Sequence, residues 1–192
     1  MQQEEVLDSP ARYMTEEEFF RYCRENDGLR IERDKNGNIE IMPPTGLHTG
    51  SRNSQLTTEL TIWNRTHKKG EVGDSSTGYT LSNGAVRSPD ASWISHERLA
   101  STTQDDRERF VHAVPEFVAE IRSKSDRPKT IREKMQEYLE CGVLLGWYID
   151  VPGRFTEIYR AGGDVEIVEG FDKVLSGEKV LPGFEFDLKW MV

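Results

Sequence analysis

Glu120 stands in the middle of PEFVAEIRS, a stretch that alternates as a strand would, with Phe117, Ala119 and Ile121 on one side and Val118, Glu120 and Arg122 on the other. An ionised carboxylate among such apolar neighbours is costly unless it is paired, bound to a metal or open to water at the end of a sheet. Arg122, two positions on and on the same side, supplies one plain answer, an ion pair with no chemistry attached. Asp90 supplies another. It follows Pro89 at the head of the apolar run Ala91 to Ile94, so a second acid sits at the mouth of another predicted strand. If the two strands are neighbours, their carboxylates converge as oxygen ligands for a hard cation such as magnesium, which binds through one or two carboxylates plus waters and substrate phosphate.

Lys134 is the third candidate. It lies one to two turns into the segment after the Glu120 strand, where Ile131, Met135 and Tyr138 mark an inward stripe and Lys134 is about 100° from Met135, on the flank. An ammonium leaning over the sheet end would stabilise charge on a phosphoryl group, whereas a solvated helix lysine would do nothing. Between Arg122 and Lys134 six basic residues face two acidic ones, a basic lip beside the acids.

The elements that must position these residues can be read from periodicity and turn signals. Thr15 with Glu18 has capping-box spacing and opens a helix to about Glu25. LRIERD and NIEIMP flank Lys35-Asn36-Gly37, where Asn-Gly predicts a tight hairpin turn with positive φ angles. A polar helix from about His48 to Lys69 buries Leu56, Leu60 and Trp63 and stops at Gly70. EVGDSSTGYTLSNGAVRSPDASWI reads as two or three short strands, and residues 95–112 as a surface excursion. The Glu120 strand, a helix from Pro128 to Cys141 and the apolar LLGWYID form a crossover that predicts two parallel strands in one sheet. RFTEIYR and DVEIV pair across Ala161-Gly162-Gly163, and VLSGEKVLPGFEFDL closes an edge. Residues 1–14 form a loose leader in which Val6, Leu7 and Tyr13 dock locally. The expected fold class is α/β (mixed α+β), a central mixed β-sheet flanked by helices, with an N-terminal β-hairpin and a C-terminal β extension, in one domain spanning 1–192.

Composition narrows the classes further. The 192 residues include 31 % charged and 35 % hydrophobic, with four Trp, six Tyr and eight Phe, which is too aromatic for a disordered chain. No run is long enough to span a bilayer and the acidic start lacks signal-peptide order, so a cytoplasmic, non-membrane protein is expected. Cys23 and Cys141 have no partner spacing and read as buried thiols. The net charge of −9 argues against broad nonspecific attraction to nucleic acid but leaves room for a basic patch. His48 reads as a capping or surface residue, His67, His96 and His112 lack ligand spacing, and Trp93, Trp147 and Tyr148 read as core.

With these blocks assembled, the chain resembles the Uma-two family of restriction-endonuclease-like proteins, a branch of the PD-(D/E)XK nuclease superfamily. The resemblance runs from about Ile39 to Leu188 and rests on GDSSTGYTLSNGAVRSPDASWI, on PEFVAEIRSKSDRPKTIREKMQEYLECGVLLGWYID and on RFTEIYR with LSGEKVLPGFEFDL. It implies a restriction-endonuclease-like core with Asp90 and Glu120 as metal ligands, Mg²⁺ or Mn²⁺ as cofactor and nucleic acid, DNA first, as substrate. The superfamily places a lysine two residues after the Glu, where this chain has Arg122; a guanidinium is too basic to act as a base and clamps phosphate or carboxylate instead. The resemblance moves the catalytic cation to Lys134. It also suggests an acid from the first core helix, Glu59, with Gln55 as a weaker choice.

Together these readings give a Mg-dependent endonuclease: Asp90, Glu120, the Ile121 carbonyl and Glu59 around a metal, with Lys134 and Arg122 on the phosphate. Two rivals stand beside it. One is a nuclease-fold protein that binds nucleic acid or a partner without catalysis, favoured by the missing Glu-x-Lys; the other is a structural domain in which Glu120 and Arg122 merely pair. A homodimer would suit an enzyme that cuts two strands, although no residue pattern marks one.

Overall fold

The structure is a computed structural model that describes residues 14–192, so the expected leader, with Val6, Leu7 and Tyr13, lies outside the described residues apart from Met14. Helix α1 (Glu16–Glu25) starts as its capping box dictates: Thr15 accepts from the Glu18 amide at 3.2 Å and Glu18 accepts from the Thr15 amide at 2.8 Å. Strands β1 (Arg30–Arg33) and β2 (Ile39–Met42) form the expected antiparallel hairpin, with Ile31 opposite Ile41. The turn differs in kind. Only Gly37 has a positive φ, 84°, and Asp34 pairs with Asn38 around the three-residue loop Lys35-Asn36-Gly37. The Asp34 carboxylate accepts from the Asn36 and Asn38 amides, and this favours the longer loop over a two-residue turn.

Helix α2 (Leu47–His67) buries Leu56, Leu60 and Trp63 as expected, and Asn53 shares that stripe. It ends on Lys68, whose φ of 54° is left-handed, and not on Gly70. Gly70 begins β3 (Gly70–Asp74), where a Cβ would collide with the Ile94 carbonyl oxygen, so glycine is required there for close strand approach. Then come β4 (Tyr79–Thr80), β5 (Val86–Arg87) and β6 (Ala91–Ser95), four strands from a segment read as two or three. The surface excursion holds two single-turn helices, α3 (His96–Leu99) and α4 (Gln104–Arg107). Strand β7 (Phe117–Arg122), helix α5 (Pro128–Glu140) and strand β8 (Leu145–Asp150) make the crossover, and β7 and β8 are parallel. Strands β9 (Phe155–Arg160) and β10 (Glu166–Glu169) form the second hairpin, β11 (Val174–Ser176) and β12 (Glu185–Asp187) a third, and a 3₁₀ turn spans Leu188–Met191.

The central sheet has the order β10-β9-β8-β7-β6-β3 and is mixed, because β7–β8 is its one parallel pairing. Alternation along β7 sorts its side chains as expected. Phe117, Ala119 and Ile121 face α2 and the C-terminal segment, while Val118 faces Met135 and Tyr138 of α5. The C-terminal segment does more than close an edge: Phe184 stacks on fully buried Trp147 at 5.8 Å, and Phe186, Leu188 and Met191 are buried in the same cluster. Each such side chain contributes on the order of 2 kcal/mol by leaving water. A second sheet, β2-β1-β5-β4, seats the N-terminal hairpin beside the strand that leads to Asp90. Cys23 and Cys141 are free but only partly buried, against the expectation for both.

Candidate active site

Strands β6 and β7 run antiparallel with Ala91 opposite Ala119, and Asp90 and Glu120 each lie one residue past that last rung, so the two acids lie side by side where the ladder ends. Asp90 is 7 % exposed. Its Oδ2 accepts from the Ile121 amide at 2.9 Å, and its Oδ1 accepts from Asn53 Nδ2 at 2.9 Å and Arg30 Nη1 at 3.3 Å. The N–H and C=O of a strand residue project to the same side, so the Ile121 carbonyl faces this gap too.

Glu120 is 6 % exposed. Its Oε1 accepts from the Tyr138 hydroxyl at 2.9 Å and pairs with Lys134 Nζ at 2.9 Å, while no protein donor among the described residues reaches Oε2. Lys134 and Tyr138 are four apart on α5, which puts both on the face that looks down on β7. The ammonium also reaches Glu32 Oε1 at 2.9 Å. Glu32, wholly buried, is held in turn by the Ser88 amide at 2.9 Å and by Arg87 at 3.2 Å, and Arg87 continues to Glu40 and Glu137, each at 2.7 Å.

The electrostatics follow from this packing. Burial raises the Glu120 carboxyl to about 7; Lys134 opposes the rise, and Asp90 and Glu32 add to it. For Glu32, burial works in the same upward direction, but Lys134 and Arg87 outweigh it and hold the acid below its ordinary value. Burial also disfavours the Lys134 ammonium, yet Glu120 and Glu32 keep it above an ordinary lysine. The two carboxylates thus favour the charged form of Lys134.

Asp90, Glu120 and Lys134 are thus brought together. Arg122 is directed elsewhere: its Nη1 donates to Asp150 on β8 at 3.0 Å, so the cation on Glu120 is Lys134 and the simple Glu120–Arg122 pair does not form. Glu59 accepts from Gln55 at 3.3 Å on another flank of α2, and the helix register delivers Asn53 to Asp90 in its place. The basic lip shrinks too, since Arg122, Arg132 and Lys134 are each engaged by an internal carboxylate and Lys124, Arg127 and Lys129 stay exposed. Sequence reasoning missed Arg30, Glu32, Asn53 and the polar role of Tyr138. Two signals were present: Asn53 is the polar member of the Leu56-Leu60-Trp63 stripe, and Arg30 and Glu32 share one face of β1 by alternation.

A cleft of about 440 Å³ is lined by Asp90, by Asn53, Thr57, Thr61 and Arg65 of α2, and by Asp74. The described residues contain no group of three or more His, Cys, Asp or Glu placed to hold a metal. The Asp90 carboxylate, Glu120 Oε2 and the Ile121 carbonyl nevertheless suit a hard cation whose remaining positions are filled by water. No described helix is long and apolar enough to cross a membrane.

A mixed sheet with paired acids at its end and a helix-borne ammonium over them defines a nuclease-type core. The chain belongs to the Uma2 family, described as "Putative restriction endonuclease", which matches residues 16–189. Among solved structures it is similar to one from Anabaena variabilis titled a "putative nuclease belonging to DUF820", with a TM-score of 0.72 and 17 % identity over 84 % of this chain and 91 % of that one. At that identity the likeness speaks for the fold. No curated protein matched.

Proposed function

We propose that the protein is a metal-dependent endonuclease that hydrolyses phosphodiester bonds of DNA. The observation that carries this reading is the placement of Asp90 and Glu120 one residue beyond the Ala91–Ala119 rung, both on the same side of it, with the Lys134 ammonium 2.9 Å from Glu120. Asp90, Glu120 and the Ile121 carbonyl would hold Mg²⁺ or Mn²⁺, with Asn53 and the Ile121 amide fixing the Asp90 carboxylate and Tyr138 fixing Glu120. When bound, such a cation neutralises phosphoryl charge and makes a neighbouring water more acidic. Lys134, kept protonated by two carboxylates, stabilises the negative charge that grows on the phosphoryl oxygens. Arg122 is tied to Asp150 and supports the strand end instead of the phosphate.

The test is incubation of purified protein with plasmid DNA, single-stranded DNA and RNA, with Mg²⁺ or Mn²⁺. The expected result is DNA cleavage that disappears in Asp90→Asn, Glu120→Gln and Lys134→Ala; cleavage indifferent to these changes would remove the assignment. A second reading, a nuclease-fold protein that binds without cutting, is favoured by the fact that Arg30 and Lys134 already neutralise both acids. It predicts no carboxylate-dependent stabilisation by Mn²⁺, which mass action requires of a working site.

A further inference from the structure

Arg30 reaches the site from the N-terminal hairpin, 60 positions before Asp90, and its bonding is incomplete. One arm, Nη2, donates to the Ser88 carbonyl at 2.6 Å and anchors the guanidinium beside the Pro89-Asp90 bend. The other, Nη1, touches Asp90 Oδ1 at 3.3 Å, long for a charge-assisted bond, on the same oxygen that Asn53 already holds at 2.9 Å. Nε is buried and has no hydrogen-bond partner among the described residues. The guanidinium beside Asp90 thus has one firm acceptor and one loose one, while the fork of an arginine is shaped to take two oxygens of one phosphate.

A divalent cation on Asp90 would sit within a few ångströms of this guanidinium and repel it, so Arg30 and the cation compete for the same carboxylate. Resting on the nuclease reading above, we infer that Arg30 is an exchangeable counter-cation: it neutralises Asp90 in the empty site, gives up Oδ1 when a divalent cation arrives, and turns its freed donors to a non-bridging oxygen of the substrate phosphodiester. Ser88 keeps the guanidinium within reach throughout, so the exchange needs a side-chain rotation and no movement of the hairpin.

The inference predicts opposite effects on ion and substrate. Mn²⁺ binding is measured by titration calorimetry on wild type, Asp90→Asn, Arg30→Gln, Arg30→Met and Arg30→Lys, with circular dichroism as the check of folding; Arg30→Met keeps the stem should the Gln variant not fold. Both neutral variants should bind Mn²⁺ about 5-fold tighter or more, the lower end of typical coupling between two sites, while Arg30→Lys stays near wild type. Cleavage of DNA at saturating Mn²⁺ should nonetheless fall about 10-fold or more in the neutral variants. A folded neutral variant that binds Mn²⁺ no better than wild type overturns the exchange. Wild type that shows no Asp90-dependent Mn²⁺ binding instead overturns the metal site itself, and the two failures are thereby distinguished.

Discussion

Two buried acidic clusters lie at the same end of the central sheet, and they are built on opposite terms. Around Asp150 and Glu157 every carboxylate oxygen is taken: Asp150 accepts from Arg122, Tyr148 and the Gly153 amide, and Glu157 accepts a double contact from Arg132 plus the Tyr159 hydroxyl at 2.6 Å. Around Asp90 and Glu120, burial is just as deep but the bonding is unfinished. Glu120 Oε2 has no protein donor among the described residues, Asn53 Oδ1 and Arg30 Nε are buried without partners, and Glu120 is pushed up to about 7. The first cluster is what a stability requirement looks like when it is met. Each cluster has one arginine Nε, of Arg122 or of Arg30, buried with no partner among the described residues; what sets the second apart is the unbonded Glu120 Oε2 and Asn53 Oδ1 beside a carboxyl pushed up to about 7, an arrangement that suits a ligand.

Neutralising one acid from each cluster and following cleavage separates the two most directly. Asp90→Asn and Glu120→Gln should each lower metal-supported cleavage by about a thousandfold and Lys134→Ala by about a hundredfold, whereas Glu157→Gln should leave it within about threefold. A similar loss from Glu157→Gln would merge the clusters into one functional unit. Stability should rank them in reverse. Asp150→Ala strands Arg122 and the Tyr148 hydroxyl and should cost about 3–5 kcal/mol in denaturant unfolding; a loss below about 1 kcal/mol would contradict the reading of that cluster as structural.

Acidity sharpens the contrast further. A carboxyl raised from 4.5 to about 7 in the fold contributes stability that is fully present below pH 4.5 and is lost as the pH rises through about 7. Glu120→Gln should therefore gain stability relative to wild type between those limits, and Mn²⁺ affinity of the wild type should climb over the same interval as the competing proton leaves. Thermal unfolding from pH 4 to 8 reads the first effect; a flat difference would remove burial as the cause. The smallest effect is expected at Glu59. Placed with Gln55 away from Asp90, Glu59→Ala should change stability by no more than about 0.5 kcal/mol and leave Mn²⁺ binding unaltered, and loss of binding would return Glu59 to the site.

Local signals accounted for most of the backbone. The Thr15 box, the alternation of β7, the Leu56-Leu60-Trp63 stripe and the Pro128 start each rest on contacts within a few residues, and each was legible. The hairpin loop was misjudged because the Asp34 side chain outcompetes the Asn-Gly preference, and the helix stop because Lys68 adopts a conformation that Gly70 was expected to provide. Of the candidate site, Asp90 and Glu120 stand out by type and spacing and Lys134 by its place on α5 together with the family resemblance. Arg30, Glu32 and Asn53 were not, since nothing near them in sequence says which strand or helix face they will meet.

Most elements, the acid at the head of β6, the acid within β7 and the family resemblance are legible along the chain, because periodicity, capping and turn chemistry act over short stretches of it. Which cation compensates which acid was decided only by tertiary structure. Arg122 lies two residues from Glu120 yet pairs with Asp150 across the parallel β7–β8 ladder, while Lys134 and Glu32, far apart along the chain, share one ammonium contact at 2.9 Å. Charge pairing in a buried site follows sheet register and helix placement, and those are set by the packing of the whole core.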